Sequence, residues 1–127
     1  MTENPDVTVE RLNELVDAFN RKDLEAIVEA FTDDGEFLLA AGPEPWGCRF
    51  TGREAIREAL AQRFAAVPDI RWSDGRHWIS GNKALSEWRV RGTLPDGRRL
   101  DCLGCDLWEF RDGMVAKKDT YYKQVTR

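Results

Sequence analysis

The chain's single histidine, a serine and an aspartate fall among tryptophans at alternating positions in its second half: His77, Ser86, Trp88, Asp106 and Trp108. Alternation of that kind places side chains on one face of a β-sheet. An imidazole and a carboxyl on an apolar face cost free energy unless paired. They are also the groups suited to moving a proton near neutral pH and to stabilising a developing charge. Each has a structural reading as well: His77 bonded to Ser86 or a carbonyl, Asp106 paired with Lys118, and the tryptophans as core.

The strands that would carry these groups are marked by turns. From Ser73 to Arg127 the sequence alternates apolar and polar residues and breaks at Gly81-Asn82, Pro95-Asp96-Gly97 and Asp112-Gly113, the pattern of an antiparallel meander. A two-residue Gly81-Asn82 loop pairs His77 with Ser86, Trp78 with Leu85 and Arg76 with Glu87. His77, Ile79, Ala84, Ser86, Trp88 and Val90 then share the inner face. A five-residue loop from Pro95 to Arg99 sets Asp106 opposite Trp88 and Trp108 opposite Ser86, with His77 nearby. For the last strand two registers stand open. A two-residue Asp112-Gly113 turn brings Asp119 opposite Asp106 as a carboxylate pair; a three-residue loop, or a bulge further along, instead turns Lys118, Thr120 and Tyr122 inward.

The first half reads as helical. Apolar spacing predicts helices over 8–20, 23–32 and 52–67, with Asp6 or Thr8 capping the first and Asp23 the second. Thr51-Gly-Arg-Glu54 reads as a capping box opening the third, whose stripe is Ile56, Leu60, Phe64 and Val67. Glu36 to Ala41 reads as a short strand. The loop after it, rich in Gly and Pro, carries Trp46, as a lid or a plug. Helices followed by an antiparallel run indicate an α+β fold: one domain over 1–127, a cone-shaped curved antiparallel sheet packed against three N-terminal helices and enclosing a pocket. The opposite sheet face gathers Trp78, Leu85, Leu103, Cys105 and Leu107, an apolar patch expected to pair two copies as a homodimer.

With 127 residues, 42% apolar, 33% charged and a net charge of −4, broad binding to nucleic acid is not expected. No apolar run approaches the ~18 residues that span a bilayer, and Glu3, Asp6 and Glu10 do not fit a signal peptide; a cytoplasmic location is expected. Cys48, Cys102 and Cys105 are odd in number. Cys102 and Cys105 have the spacing of a metal or redox pair but point to opposite faces of a strand. Neither a metal nor a cofactor is expected.

Asp23-Leu-Glu-Ala-Ile27, Phe31-Thr-Asp-Asp34, Gly52-Arg-Glu-Ala-Ile56, Gly104-Cys-Asp-Leu-Trp-Glu-Phe-Arg-Asp-Gly113 and Lys118-Asp-Thr-Tyr-Tyr122 together resemble the ketosteroid isomerase and SnoaL-like polyketide cyclase group of the nuclear transport factor 2-like fold. The resemblance spans almost the whole chain. It places Leu39 where steroid isomerases carry their general base and Leu15 where they carry the oxyanion-hole tyrosine. Only their oxyanion-hole aspartic acid finds a match, in Asp106. SnoaL-like cyclases pair an aspartate with a histidine, a role His77 with Asp106 or Asp119 would fill. The expectation is an acid–base enzyme of the isomerase, cyclase or dehydratase type. Its substrate is a small hydrophobic molecule bounded by Trp46, Phe64, Ser86, Trp88, Trp108, Lys118 and Tyr122. A binding or structural dimeric module without chemistry is the alternative. An epoxide hydrolase is a second one, for which Glu87 and Arg89 have suitable spacing but point outward.

Overall fold

The computed structural model describes residues 7–126. The element order is α1 (Val9–Arg21), α2 (Leu24–Glu29), β1 (Phe31–Glu44), β2 (Gly47–Thr51), α3 (Arg53–Ala66), β3 (Arg71–Ser80), β4 (Lys83–Thr93), β5 (Arg99–Arg111) and β6 (Met114–Tyr122). The strands form one sheet in the order β2-β1-β6-β5-β4-β3. It is antiparallel except where β1 meets β6. That pair is parallel, as the long connection between the two strands permits. No described helix is long and apolar enough to cross a membrane.

Thr8 caps α1 by accepting a hydrogen bond from the Arg11 amide at 3.0 Å, and Asp23 caps α2. The box expected at α3 does not form: Gly52 is the N-cap at φ 92° and no side chain caps the helix. The second helix is shorter than expected because Phe31 already lies in β1, where its backbone carbonyl accepts from the Arg53 guanidinium at 2.7 Å. The Gly/Pro-rich stretch expected to be a loop is instead the tip of a β1–β2 hairpin, with Cys48 and Phe50 on β2. Turn residues there mark a tight reversal rather than an irregular connection.

Leu12, Leu15 and Phe19 of α1, Ile27 and Val28 of α2, and Ile56, Leu60 and Phe64 of α3 are buried against Trp88, Val90, Trp108 and Phe110 of the sheet. Burial of that kind contributes about 1.5–3 kcal/mol for each large apolar side chain and fixes which sheet face is inner. The β3–β4 register is the expected one, with His77 opposite Ser86. Between β4 and β5 the register is displaced by two from expectation: Asp106 lies opposite Ser86 and Trp108 opposite Ala84. The loop runs from Leu94 to Arg98, closed by the Leu94 amide donating to the Arg98 carbonyl at 2.8 Å. An even displacement preserves every facing direction.

Candidate functional site

Between β5 and β6 the hairpin pairs Phe110 with Val115, and a bulge at Ala116 then shifts the register so that Trp108 meets Lys118 and Asp106 meets Thr120. One extra residue re-aims every side chain beyond it. Lys118, Thr120 and Tyr122 therefore turn inward, while Asp119 stands opposite Leu107 on the outer face, 3.3 Å from the Tyr121 hydroxyl. Of the two registers left open, the second is present: Lys118 stands beside Asp106, and Asp119, a candidate catalytic residue, lies on the outer face instead.

The result is a buried polar cluster on an aromatic floor. The Lys118 ammonium lies 3.0 Å from Asp106 Oδ1 and donates to Thr120 Oγ1 at 3.0 Å. Thr120 Oγ1 donates to Asp106 Oδ1 at 2.6 Å, and Trp88 Nε1 donates to Asp106 Oδ2 at 2.9 Å. Asp106 and Lys118 are only 4% and 6% exposed. The ammonium also sits 4.8 Å from the ring centre of Phe19, 5.0 Å from Phe37 and 5.6 Å from Trp108. Three π faces partly replace the water that a buried cation has lost. Trp88 lies over Gly104, where a Cβ would come within 2.6 Å of its ring; the glycine makes room for the indole that holds Asp106.

Lys118 and Thr120 of the cluster line a cavity of about 110 Å³. Phe19, Phe37, Leu39, Leu60, Phe64 and Trp72 supply its apolar wall, and Arg63, Lys118, Thr120 and Tyr122 its polar groups. A second, smaller pocket of about 10 Å³, which shares Phe19, Trp72 and Lys118 with the first, is lined by Asp106, Trp88 and Trp108. Arg63 Nη2 donates to the Tyr122 hydroxyl at 3.0 Å. Burial holds that phenol above its ordinary pKa, against the pull of the guanidinium, so it remains protonated.

His77 lines neither chamber. It lies in one lateral row with Ser86, Asp106 and Thr120 across β3 to β6, so Ser86 separates it from Asp106, roughly 10 Å away by strand spacing. Both of its nitrogens are engaged: Nδ1 with Ser86 Oγ at 2.7 Å and Nε2 with Asn13 Oδ1 at 2.9 Å. Trp108 Nε1 also donates to Ser86 Oγ, at 2.9 Å. A neutral ring that donates from Nε2 and accepts at Nδ1 satisfies every partner, and burial holds the imidazole below its ordinary pKa. His77 thus ties β3 to α1.

Trp46 stands at the hairpin tip, 47% exposed and stacked with the Arg49 guanidinium; it does not line the cavity. Ser86 is fully buried beneath Trp108 and does not reach the cavity wall. Glu87 and Arg89 face outward, bonded to Arg76 at 2.7 Å and to Asp101 at 2.7 Å and 2.8 Å. Cys102 packs toward the core and Cys105 lies on the outer face, both thiols pushed up by burial. Among the described residues no three His, Cys, Asp or Glu side chains are grouped to hold a metal.

Arg63 was not singled out from the sequence. It precedes Phe64 near the end of α3, where a basic residue ordinarily complements the helix dipole, so no sequence signal distinguishes it. Phe37 and Trp72 had only their apolarity to mark them.

None of the proteins of curated function matches the chain. Among solved structures, a Pseudomonas putida protein provisionally assigned as a polyketide cyclase superposes with a TM-score of 0.81 at 17% identity, over 95% of this chain and 93% of its own. A Catenulispora acidiphila protein with a ketosteroid isomerase-like fold, solved with trimethylamine, gives 0.80 at 19% identity, over 92% and 88%. A Xanthomonas campestris protein, also provisionally a polyketide cyclase, gives 0.79 at 22% identity, over 90% and 88%. At such identities these likenesses bear on the fold. The sequence model of the SnoaL-like domain matches residues 12–118, and with most of its length inside that match the chain belongs to the SnoaL-like domain family.

Proposed function

We propose that the protein is an acid–base enzyme of the isomerase, cyclase or dehydratase type, working without a cofactor on a small, largely apolar molecule bearing a carbonyl or hydroxyl oxygen. The observation that carries this reading is the Lys118–Asp106–Thr120 cluster, whose Lys118 and Thr120 line a cavity walled mostly by apolar side chains. The ammonium donates one hydrogen to Thr120 and is ion-paired with Asp106 at 3.0 Å, which leaves a hydrogen toward the aromatic rings around it. A substrate oxygen entering there receives that hydrogen, and negative charge developing on it is stabilised where little water competes. Among the described residues Asp106 Oδ2 accepts only from Trp88, and a carboxylate oxygen has a second lone pair for a substrate proton. His77, expected to exchange the proton with substrate, lies outside the cavity lining and in this reading acts through the scaffold. Polyketide cyclases among the similar folds fit this chemistry.

The test is solvent exchange. Proton NMR in D2O should show the α-hydrogens of small ketones and aldehydes exchanging faster with the protein than in buffer. Binding without any exchange across such a panel would favour a non-catalytic module. One observation supports that second reading: every buried side-chain nitrogen and oxygen among the described residues already has a partner.

A homodimer through the outer sheet face belongs to the same proposal. Trp78, Leu103 and Leu107 are 51%, 52% and 41% exposed there, and exposed apolar groups on one sheet face suit a contact with a second copy. The three free cysteines fit a reducing, cytoplasmic setting.

A further inference from the structure

Arg63 is the exception among the arginines. Most of those described pair with a carboxylate within 4 Å; Arg63, Arg71 and Arg99 do not. Arg71 and Arg99 are exposed to solvent, whereas Arg63 is half-buried in the cavity wall. Its one side-chain hydrogen bond among the described residues goes to the neutral Tyr122 phenol. Because that phenol accepts from Arg63, its own hydrogen is left to donate, and among the described residues it has no acceptor. Two adjacent donor groups, one cationic, thus converge on an apolar space without an anion between them.

The other cation behaves differently. Lys118 is neutralised by Asp106 at 3.0 Å, so the cavity keeps one net positive charge, at the Arg63 end. Lys118 and Tyr122 are four residues apart on β6, roughly 13 Å along an extended strand, with Thr120 between. The polar wall therefore has a neutralised end and a cationic end.

We propose that the substrate is a small organic acid whose carboxylate is held by the Arg63 guanidinium and the Tyr122 hydroxyl. Its apolar body lies against Phe19, Leu60, Phe64 and Trp72, and its reacting oxygen points at Lys118. A guanidinium edge matches a carboxylate with two parallel hydrogen bonds, and the phenol hydrogen adds a third. This rests on the proposed function for its reacting end only; the carboxylate end stands on Arg63 and Tyr122 alone.

The experiment is a tryptophan-fluorescence titration of the full chain at pH 7.5, since Trp72 lines the cavity. The probes are isovalerate, 4-oxopentanoate and benzoate, each beside its uncharged amide. At least one acid should bind saturably, and more tightly than its amide. Arg63→Gln should weaken it about 10-fold or more, Arg63→Lys by less, and Tyr122→Phe by several-fold. Circular dichroism confirms that each variant is folded; should Arg63→Gln not fold, Tyr122→Phe and the acid–amide comparison decide. Equal binding of acid and amide, no binding of any acid, or binding indifferent to both substitutions would overturn the assignment. If Lys118→Met abolishes binding while Arg63→Gln does not, the carboxylate inference fails and the Lys118 site stands. Acid binding that needs Arg63, with no exchange of the hydrogens beside the ketone of 4-oxopentanoate, leaves this inference standing while the catalytic reading fails.

Discussion

Replacing Lys118 by Met removes one charge from a pair that is almost wholly enclosed, its side chains 7% and 5% exposed. At a separation of 3.0 Å the Coulomb attraction is about 5 kcal/mol with an effective protein dielectric near 20. The cost of taking both ions out of water is of similar size, so the intact pair contributes little net stability. Loss of one partner is different. The Asp106 carboxylate would keep its bonds from Trp88 and Thr120 but lose its counter-ion, at a cost of about 3–5 kcal/mol. For a chain of this length that lowers Tm by roughly 10–20 °C. Asp106→Asn should cost a similar amount, because it strands the ammonium among Phe19, Phe37 and Trp108. The assay is thermal and urea unfolding of the wild type, Lys118→Met, Asp106→Leu and the double variant at pH 7. The double variant should melt no lower than the worse single one, since it removes both charges together. Additive losses, or a single variant costing under about 1 kcal/mol, would mean that the two groups are solvated or act apart, and would refute the reasoning.

His77 sets a pH dependence whose sign follows from burial. Its folded pKa is depressed, so its contribution to stability is complete above the unfolded value of about 6.5 and is lost as pH falls through the folded one; urea unfolding of His77→Gln should show a flatter profile below pH 6.5 than the wild type. Leu103→Glu places a charge in the proposed dimer contact and should shift the mass measured by light scattering toward a monomer. An unchanged dimer, or a wild type that is monomeric at high concentration, would assign the outer patch to something else.

The fold was legible because periodicity and turns agree: the apolar stripes of α1 and α3 and the two-residue Gly81-Asn82 turn each admit one arrangement. The inner-face positions of Ser86, Trp88, Asp106 and Trp108 followed from alternation alone, and survived a two-residue error in the β4–β5 loop because side-chain direction repeats every second residue. Contacts across strands were less legible. The bulge at Ala116 has no local signature, and it decides between Asp119 and Lys118. His77 lies on the expected face, but its partner Asn13 comes from α1, and helix-to-sheet distances are not encoded in strand alternation. Arg63 became visible only when its missing carboxylate could be set beside the paired arginines.

The exchange assay extended to variants tests most directly whether chemistry resides at the Lys118–Asp106 cluster. Rates of α-hydrogen exchange should be compared for the wild type, Asp106→Asn and His77→Gln, at a temperature where all three are folded. Loss of a proton acceptor ordinarily costs about 100-fold or more. The expected result is a fall of that size for Asp106→Asn and a rate within a few-fold of wild type for His77→Gln. Exchange retained by Asp106→Asn and abolished by His77→Gln would contradict the assignment.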